Sequence, residues 1–465
     1  MAETALDDAV RDGRCLTVDD LAGHMASGCK PETEFRIGSE HEKFVFHTGT
    51  HEPVEYGADA RGRGGIQALL EGLTRFGWTG VYEDNVHGHT LIALQRGGAN
   101  ISLEPGGQFE LSGAPLDSVH GVCEETTQHL DEAKAVGEEL GLGFLALGYS
   151  PLWTRAEVPV MPKARYDIMR AYMPKVGKLG LDMMLRTSTV QANLDFSSEA
   201  DMIAKFRVSL ALQPIATALF ANSPFVDGKP SGLLSSRAHV WTDTDPNRTG
   251  MLDFVFADGF GFDAYARYAL DVPMYFIKRD GRYIDATGLS FRDFIKGESP
   301  ARSGDRATLK DWSEHLSTIF PEVRLKTYLE MRGADTGPQP RLCALAALWI
   351  GLFYDQAALA AAWDLCKDWS TEDHNQLRAD VARLGLKAQV GGRPVRDVAR
   401  DVVAIAREGL KNRGRLNGSM SDERGYLAEL EEILDSGLTP AERLLELYHG
   451  PWRGQISPVF EAAAY

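Results

Sequence analysis

The sequence predicts an α+β fold: an antiparallel sheet with long helices packed on its back, followed by a C-terminal third that is mainly helical. Two observations support this prediction. Four short segments between residues 36 and 332 alternate polar and apolar residues, as strands do. From residue 340 onward, apolar residues recur instead at helical spacing.

The first half of the chain supplies most of the predicted strands. Alternating residues predict strands at 35–47, 90–95 and 98–112, the last one broken at Pro105-Gly106-Gly107. Helical spacing predicts amphipathic helices at 5–28 and 63–77 and a long helix at 115–140 that ends at Gly141. An apolar strand is expected at 143–149, and a proline-bounded segment rich in Arg, Lys and Tyr follows at 160–176.

The second half begins with a strand at 184–196 and a helix that starts at Ser197 and continues through Pro214. Residues 231–262 are irregular and polar. A β-hairpin is expected at 271–285 around Asp280-Gly281. Mobile loops are expected at 297–308 and 386–393. Helices are expected at 341–365, 371–384, 395–413, 421–436 and 439–448.

Composition and charge narrow the possible partners. The chain has 465 residues, of which 44% are apolar and 25% charged, as in a globular protein. The net charge of −17 disfavours nucleic acid or an anionic membrane as the main partner. No apolar run reaches the length of a membrane span. The acidic N-terminus lacks the features of a signal or transit peptide, so we expect a cytoplasmic protein.

Five glutamates lie beside apolar residues in predicted strands that should be buried on one side. Buried carboxylates are unfavourable unless arginines pair with them or a metal ion binds them. Mg²⁺ prefers oxygen ligands and is commonly shared with substrate phosphates. The pattern therefore predicts a polar pocket, built on a sheet, that binds Mg²⁺ and serves ATP chemistry. The five residues are Glu40, Glu42, Glu104, Glu110 and Glu330.

Basic residues in polar segments that contain Gly or Pro are candidates for binding a carboxylate or phosphate. They are Lys163, Arg165, Arg186, Arg237, Arg248 and Arg332. Arg332 shares a strand face with Glu330. This shared face favours the prediction that Arg332 lies in the same pocket as Glu330.

Several long motifs together resemble one known family. They are Ile37-Gly-Ser-Glu-His-Glu-Lys-Phe44, Ser102-Leu-Glu-Pro-Gly-Gly-Gln-Phe-Glu-Leu-Ser112, Met161-Pro-Lys-Ala-Arg-Tyr-Asp-Ile-Met169, Leu181-Asp-Met-Met-Leu-Arg186, Trp241-Thr-Asp-Thr-Asp245, Asp271-Val-Pro-Met-Tyr275 and Phe320-Pro-Glu-Val-Arg-Leu-Lys-Thr-Tyr-Leu-Glu-Met-Arg-Gly-Ala-Asp335. The motifs resemble those of the plant-type glutamate–cysteine ligases, a group that also occurs in proteobacteria. The resemblance extends from about residue 30 to the C-terminus.

The resemblance implies an ATP-dependent ligase with Mg²⁺ that joins the γ-carboxylate of L-glutamate to the amine of L-cysteine through a γ-glutamyl phosphate. This reaction is the first step of glutathione biosynthesis. The implied fold is a curved antiparallel sheet funnel like the glutamine synthetase catalytic domain. A single catalytic domain would then cover 1–465, with a helical extension at 1–30 and a mainly helical part at 340–465. A monomer or homodimer without nucleic acid or membrane partners is expected.

The resemblance also implies roles for individual residues. The metal ligands would be the five glutamates with Gln191. Arg332 would lie near the phosphates, Arg237 would bind the glutamate α-carboxylate, and Tyr275 and Trp241 would line the pocket of the amine substrate. Charge and context extend these roles to four further residues: Lys163 and Arg165 for the nucleotide, Arg248 for substrate and Arg186 for catalysis.

Three alternatives remain open at this stage. A related carboxylate–amine ligase would use another small amine and would keep the same fold and mechanism. A metallohydrolase would use the glutamates for metal-dependent turnover without ATP. A metabolite-binding protein would keep the fold without catalysis, although a binder gains little from costly buried carboxylates.

The five cysteines have wide, irregular spacing and predict reduced thiols rather than a disulfide framework. Many plant members of the family carry a regulatory hairpin disulfide. Here the matching stretch is Tyr283-Ile-Asp-Ala286-Thr-Gly288, and 297–305 lacks a second cysteine. We therefore expect activity that is insensitive to reduction of that bridge. Cys343 stands where a second plant bridge is formed, but the sequence offers it no convincing partner.

Overall fold

The computed structural model describes residues 14–465. Nine of its strands form one antiparallel sheet, in the order β14-β15-β7-β1-β5-β4-β3-β2, with β6 paired to the far end of β1. The strands are β1 (Ile37–His47), β2 (Thr79–Asn85), β3 (Gly88–Arg96), β4 (Ala99–Leu103), β5 (Phe109–Ser112), β6 (Leu142–Leu145), β7 (Thr189–Leu194), β8 (Phe225–Val226), β9 (Lys229–Pro230), β10 (Thr249–Gly250), β11 (Phe276–Arg279), β12 (Arg282–Asp285), β13 (Phe320–Pro321), β14 (Val323–Leu325), β15 (Leu329–Asp335), β16 (Gln389–Val390) and β17 (Arg393–Pro394).

Seventeen α-helices accompany the strands within residues 14–465. They are α1 (Val18–Ala26), α2 (Ile66–Leu73), α3 (Val119–Leu140), α4 (Ala164–Val176), α5 (Gly180–Arg186), α6 (Glu199–Phe220), α7 (Ser236–Val240), α8 (Phe262–Asp271), α9 (Phe291–Lys296), α10 (Leu309–Ser317), α11 (Gln339–Phe353), α12 (Gln356–Cys366), α13 (Thr371–Leu384), α14 (Val395–Arg413), α15 (Ala428–Ser436), α16 (Pro440–His449) and α17 (Val459–Ala462).

The central strand β1 is paired along both edges. It pairs with β7 on one side, and with β5 and then β6 on the other. The register places Glu40 opposite Gln191 and Glu42 opposite Glu110. Since residues directly opposite one another lie on the same face of a sheet, the polar residues of three strands face one side.

The opposite face of the sheet is covered by helices. His41 and Lys43 of β1 are fully buried there, and the Lys43 Nζ atom lies 2.9 Å from the Nε2 atom of His129 on α3. The helices α6 and α11 are apolar over most of their surfaces and lie in the largest hydrophobic core, with the apolar residues of β7 and β15. The sheet therefore has one dry face and one polar face.

The predicted α+β fold is confirmed, and most predicted elements are present. The Asp280-Gly281 hairpin connects β11 and β12, and both turn residues have positive φ angles (50° and 76°), as a two-residue hairpin requires. The helices predicted at 371–384 and 395–413 match α13 and α14. The described part of the helix predicted at 5–28 is α1, and residues 1–13 lie outside the described range.

Several boundaries differ from the prediction. Residues 180–186 form helix α5, so the predicted strand 184–196 begins only at Thr189. Ser198 rather than Ser197 caps α6. The helix predicted at 341–365 is two helices, α11 and α12, which meet at an angle of 93°. Strand β2 was not predicted, because most of its residues are polar and do not alternate with apolar residues.

The prediction that all five cysteines are reduced is wrong for two of them. Cys123 on α3 and Cys343 on α11 form a disulfide, with their Cα atoms 5.6 Å apart. Their separation of 220 residues gave no signal in the sequence, because only the packing of the two helices brings them together. The other three cysteines, Cys15, Cys29 and Cys366, are free.

Helix α6 is long and apolar enough to cross a membrane, as are α11 and α12 if they are taken together as one bent segment. This is weak evidence for a span, since core helices of soluble proteins pass the same test. In α6, 83% of the apolar window is buried inside the structure.

Candidate active site

A cavity of about 420 Å³ opens on the polar face of the sheet. Strands β1, β5, β7 and β15 form its floor, and side chains from α4, α5 and α7 contribute to its walls. A wider groove of about 750 Å³ follows the outer side of α3, but no arginine or lysine of the described chain lines it. The cavity on the sheet is therefore the candidate site, because it contains both acidic and basic groups.

Four of the five predicted glutamates line one part of this cavity: Glu40, Glu42, Glu104 and Glu110. Few hydrogen bonds stabilise their carboxylates. The backbone N–H of Thr189 donates to Glu42 at 3.0 Å, and the hydroxyl of Ser102 donates to Glu110 at 3.2 Å. The amide of Asn193 donates to Glu40 at 2.6 Å. None of these three bonds comes from a cation.

Burial and mutual repulsion make these carboxylates hard to ionise. Burial, followed by the charges of Glu104 and Glu40, raises the pKa of Glu110 to about 8. Burial also raises the pKa of Glu42 well above its usual value, and Glu104 and Glu110 add to the effect. The cluster therefore favours the binding of a cation, because a positive charge would stabilise the ionised form of each of these carboxylates.

The donor set fits a hard divalent cation such as Mg²⁺, which prefers carboxylate and amide oxygens. The Oδ1 atom of Asn193 is buried and has no hydrogen-bond partner among the described residues. The side chains are not gathered into a finished site: no three His, Cys, Asp or Glu groups in residues 14–465 are close enough to hold a metal ion. Further oxygen ligands would have to come from water or substrate.

Glu330 differs from the other four glutamates because cations surround it. Arg324 donates to both of its carboxylate oxygens, at 2.7 and 2.9 Å, and the Lys326 Nζ atom lies 3.3 Å away. Arg332 also donates to it, and to Gln191 at 2.9 Å. Burial raises the pKa of Glu330, but the three cations outweigh it and hold the pKa well below its usual range. Glu330 is therefore the counter-ion of these three cations, and its role as a metal ligand stays a prediction.

The basic side of the cavity is formed by Arg237, Arg324, Lys326 and Arg332. Arg237 is buried and donates through Nη2 to the carbonyl oxygen of Arg332 at 2.7 Å. Its Nε atom has no partner among the described residues, and neither has the buried Nε1 atom of Trp241, another cavity residue. Two buried donors are thus available to a bound anion.

Helix α4 brings Arg165 to the cavity wall but turns Lys163 away from it. The Nζ atom of Lys163 donates to the carbonyl oxygen of Leu103 at 2.8 Å and to the hydroxyl of Ser102 at 3.3 Å. Burial, followed by repulsion from Arg165, lowers the pKa of Lys163 to about 7. Lys163 therefore contacts the backbone behind Glu110 instead of lining the space for a ligand.

Besides Glu330 and Lys163, three more predicted site residues do not line the cavity. Arg186 is buried between Asp182 and Asp227. Arg248 pairs with Asp245 at 2.6 Å, and its guanidinium lies 3.7 Å from the centre of the Tyr275 ring. The structure therefore places Arg186, Arg248 and Tyr275 outside the lining of the cavity, and their roles toward ligands stay predictions. Buried arginines of this kind stabilise the surrounding walls, and polar sequence context does not separate them from ligand-binding arginines.

Sequence reasoning missed other residues of the site. Arg324 and Lys326 alternate along Val323-Arg324-Leu325-Lys326, a signal that could have placed them on one strand face. The register that sets Arg324 opposite Glu330 depends on the short β14–β15 connection. Three methionines also line the cavity wall, and no sequence pattern identified them as cavity residues. They are Met169, Met183 and Met184.

Comparison with known proteins gives a consistent result. The family model "Glutamate-cysteine ligase family 2 (GCS2)" matches residues 36–462. The chloroplastic glutamate–cysteine ligase of Solanum lycopersicum is 55% identical over 465 residues, which are 100% of this chain and 86% of that protein. The enzyme of the same name from Arabidopsis thaliana is 55% identical over 451 residues, 97% of this chain and 83% of that protein.

A solved structure shares the fold. The glutamate–cysteine ligase of Francisella tularensis in complex with AMP has a TM-score of 0.54 and 14% sequence identity. The similarity covers 92% of this chain and 87% of that one.

The names of the relatives contradict the predicted cytoplasmic location. The relatives from Solanum lycopersicum and Arabidopsis thaliana are both named chloroplastic. The prediction rested on the lack of leader features in the first residues, and such a lack does not by itself determine a location.

Proposed function

The chain belongs to glutamate–cysteine ligase family 2, and from this premise we propose that it joins the γ-carboxylate of L-glutamate to the amine of L-cysteine in an ATP-dependent reaction. This is the first step of glutathione biosynthesis. One observation in particular supports the proposal. A single cavity is lined by four carboxylates that form no ion pair with a described residue and by five cationic side chains. Phosphoryl transfer to a carboxylate needs both.

The reaction has two chemical steps. In the first, an oxygen of the glutamate γ-carboxylate attacks the γ-phosphorus of ATP. A new O–P bond forms, the bond to the β-phosphate oxygen breaks, and ADP leaves. In the second, the amine nitrogen of cysteine attacks the acyl carbon. The C–N bond forms, the C–O bond to phosphate breaks, and the amine proton passes to solvent. The phosphorylated carboxylate is the activated acyl donor.

The basic residues would neutralise the anions of both steps. Arg332, Arg324 and Lys326 surround one carboxylate and together carry more positive charge than it cancels. A phosphoryl group placed near them would be stabilised as its charge develops, because these groups are already oriented. Arg237, whose Nε atom has no hydrogen-bond partner in residues 14–465, would bind the α-carboxylate of glutamate with the directed hydrogen bonds of a guanidinium. Arg165 is proposed for the nucleotide.

The carboxylates Glu40, Glu42, Glu104 and Glu110 would hold Mg²⁺, with Gln191 beside them. Bound Mg²⁺ would neutralise charge on the nucleotide phosphates and orient them. The chain's own contribution is the arrangement of the donors: two strands place Glu42 opposite Glu110, and the N–H of Thr189 orients the Glu42 carboxylate. Glu330 belongs to this set only if it exchanges its arginine partners for the metal ion.

Trp241 lines the cavity and is proposed for the pocket of the amine substrate. The relatives do not favour a ligase that uses another amine, since the enzymes from Solanum lycopersicum and Arabidopsis thaliana are both named glutamate–cysteine ligases. The expected assembly remains a monomer or homodimer without nucleic acid or membrane partners. Light scattering on the purified protein measures the assembly directly.

The experiment that tests this function is ADP release by the purified protein with Mg²⁺ and ATP. We expect release that requires both glutamate and cysteine, with γ-glutamylcysteine detected by mass spectrometry. Glu42→Gln should raise the Mg²⁺ concentration for half-maximal activity by roughly 10- to 100-fold, because a charged ligand is lost. The control is Glu71→Gln, an exposed residue on α2, which should behave like the wild type.

Other outcomes would contradict the proposal in distinct ways. Preference for a different small amine would indicate a related ligase. Metal-dependent turnover without ATP would indicate a hydrolase. Binding of glutamate and ATP without any ADP release would indicate a binding protein.

A further inference from the structure

A guanidinium from the C-terminal helical part reaches the outer wall of the cavity. Arg378 on α13 donates through Nε to the carboxylate of Glu322 and through Nη2 to the carbonyl oxygen of Trp241, the latter at 3.0 Å. The side chains are mostly buried, with 18% of Arg378 and 14% of Glu322 exposed. Helix α13 is itself well fixed, because Ser370 caps its first turn and Leu377 is fully buried.

One partner of Arg378 directly follows the helix that carries Arg237, and the other is hydrogen-bonded to the backbone of Arg332. Trp241 directly follows α7, the short helix that carries Arg237. The carbonyl oxygen of Glu322 accepts from the backbone N–H of Arg332 at 3.2 Å. Arg378 therefore joins the Arg237 segment to the Arg332 segment from outside the cavity.

Glu322 lies in a position to compete with a substrate. It lines one small cleft together with Arg237, Trp241 and Arg332. Its negative charge also acts on Arg237, where it opposes the lowering of the pKa by burial. A carboxylate beside Arg237 resembles the carboxylate of the proposed substrate, so its charge must be compensated if Arg237 is to remain available.

We propose that Arg378 is a positioning residue for the glutamate carboxylate site: it engages Glu322, and so keeps that carboxylate from competing for Arg237. The same guanidinium fixes the backbone at Trp241 and thereby the end of α7. This inference rests on the proposed function, in which Arg237 binds the α-carboxylate of glutamate. It gives the helical C-terminal part a direct influence on substrate affinity.

The test compares four variants by the dissociation constant for L-glutamate, measured by calorimetry, and by KM and kcat. Arg378→Met should weaken glutamate binding about tenfold, with a much smaller change in kcat, because a buried charge partner is lost next to the binding group. Arg378→Lys should restore part of the affinity. The double variant Arg378→Met/Glu322→Gln should recover most of it, since the competing charge is gone. Arg383→Met on the same helix is the matched control, because its side chain is 60% exposed.

The double variant separates this proposal from a merely structural role. If Arg378 only stabilised the fold, removing Glu322 as well would not restore affinity. Equal glutamate affinity of wild type and Arg378→Met would overturn the proposal, and so would a double variant as weak as the single one. If Arg378→Met does not fold, Glu322→Gln alone decides: unchanged or tighter glutamate binding supports the proposal, and weaker binding overturns it. Failure of the wild type to bind glutamate would instead refute the proposed function on which it rests.

Discussion

The five glutamates predicted for the site differ in the charges around them. Glu330 has three cationic neighbours, whereas Glu42 and Glu110 face each other and Glu104. The sequence predicted all five as one set, because strand alternation reports only which face a residue occupies. The difference between them depends on Arg324, which reaches Glu330 through the β14–β15 register. Charge compensation is therefore a tertiary property of these residues.

The raised pKa of Glu110 leads to a prediction about pH. The folded protein keeps a proton on this group up to about pH 8, whereas the unfolded chain loses it near pH 4.5. Between these values the folded state binds more protons, so rising pH removes stability. In the metal-free protein, Glu110→Gln should therefore gain stability relative to the wild type as the pH rises from about 5 to 8. Urea unfolding at several pH values measures this difference.

The control for this prediction is the addition of Mg²⁺ at pH 8. It should stabilise the wild type more than Glu110→Gln, because the ion binds the ionised form. A stability difference between the two proteins that does not depend on pH would show that Glu110 ionises normally in the fold.

At the level of elements, helix α4 depends on a distant strand for its first turn. Its N-cap residue, Lys163, makes no side-chain cap of its own. The carboxylate of Glu83 on β2 instead accepts from the backbone N–H of Ala164 at 2.9 Å. The neighbouring Asn85 donates to that carboxylate and to the carbonyl oxygen of Pro162. The sequence predicted a basic, proline-bounded segment at 160–176 but not this cap, because strand β2 was not recognised.

Glu83→Ala should destabilise the protein by about 1 kcal/mol, the usual cost of losing a helix cap. It should also raise the KM for ATP, because α4 carries Arg165 on the cavity wall. Glu83→Gln should lose less, since its amide oxygen can still accept the hydrogen bond. Chemical unfolding and steady-state kinetics measure the two effects.

The matched control is Asp84→Ala, because this adjacent side chain is 85% exposed. It should leave both quantities near their wild-type values. Wild-type stability and kinetics in Glu83→Ala would show that α4 begins without help from β2.

At the level of the whole molecule, the Cys123–Cys343 disulfide connects a helix behind the N-terminal half of the sheet to the helical C-terminal part. Peptide mapping without reductant should recover the peptides that contain these two cysteines as one linked species. Cys15, Cys29 and Cys366 should be alkylated as free thiols once the protein is unfolded. Replacing both linked cysteines by serine should lower the free energy of unfolding by about 3 kcal/mol, because a long loop is no longer closed.

Cys29→Ser serves as the control for that measurement, since Cys29 is a partly exposed free thiol. Alkylation of both Cys123 and Cys343 in the unreduced, unfolded protein would contradict the disulfide. This bridge is distinct from the plant hairpin bridge. At the position of that hairpin cysteine this chain has Ala286, so the prediction for the hairpin bridge is unaffected.

Local patterns in the sequence were enough to establish the type and approximate place of most elements, the family and the acidic residues of the cavity. Strand alternation, helical spacing and family motifs each involve residues that are close together in the sequence, so they can be recognised without a structure. The tertiary structure was needed to establish which basic residues face the cavity, which of them support its walls, and which cysteines pair. Arg332 lines the cavity and Arg248 is buried beside Tyr275, although both are arginines in polar segments. Their roles depend on strand register and helix packing, which join residues far apart in the chain.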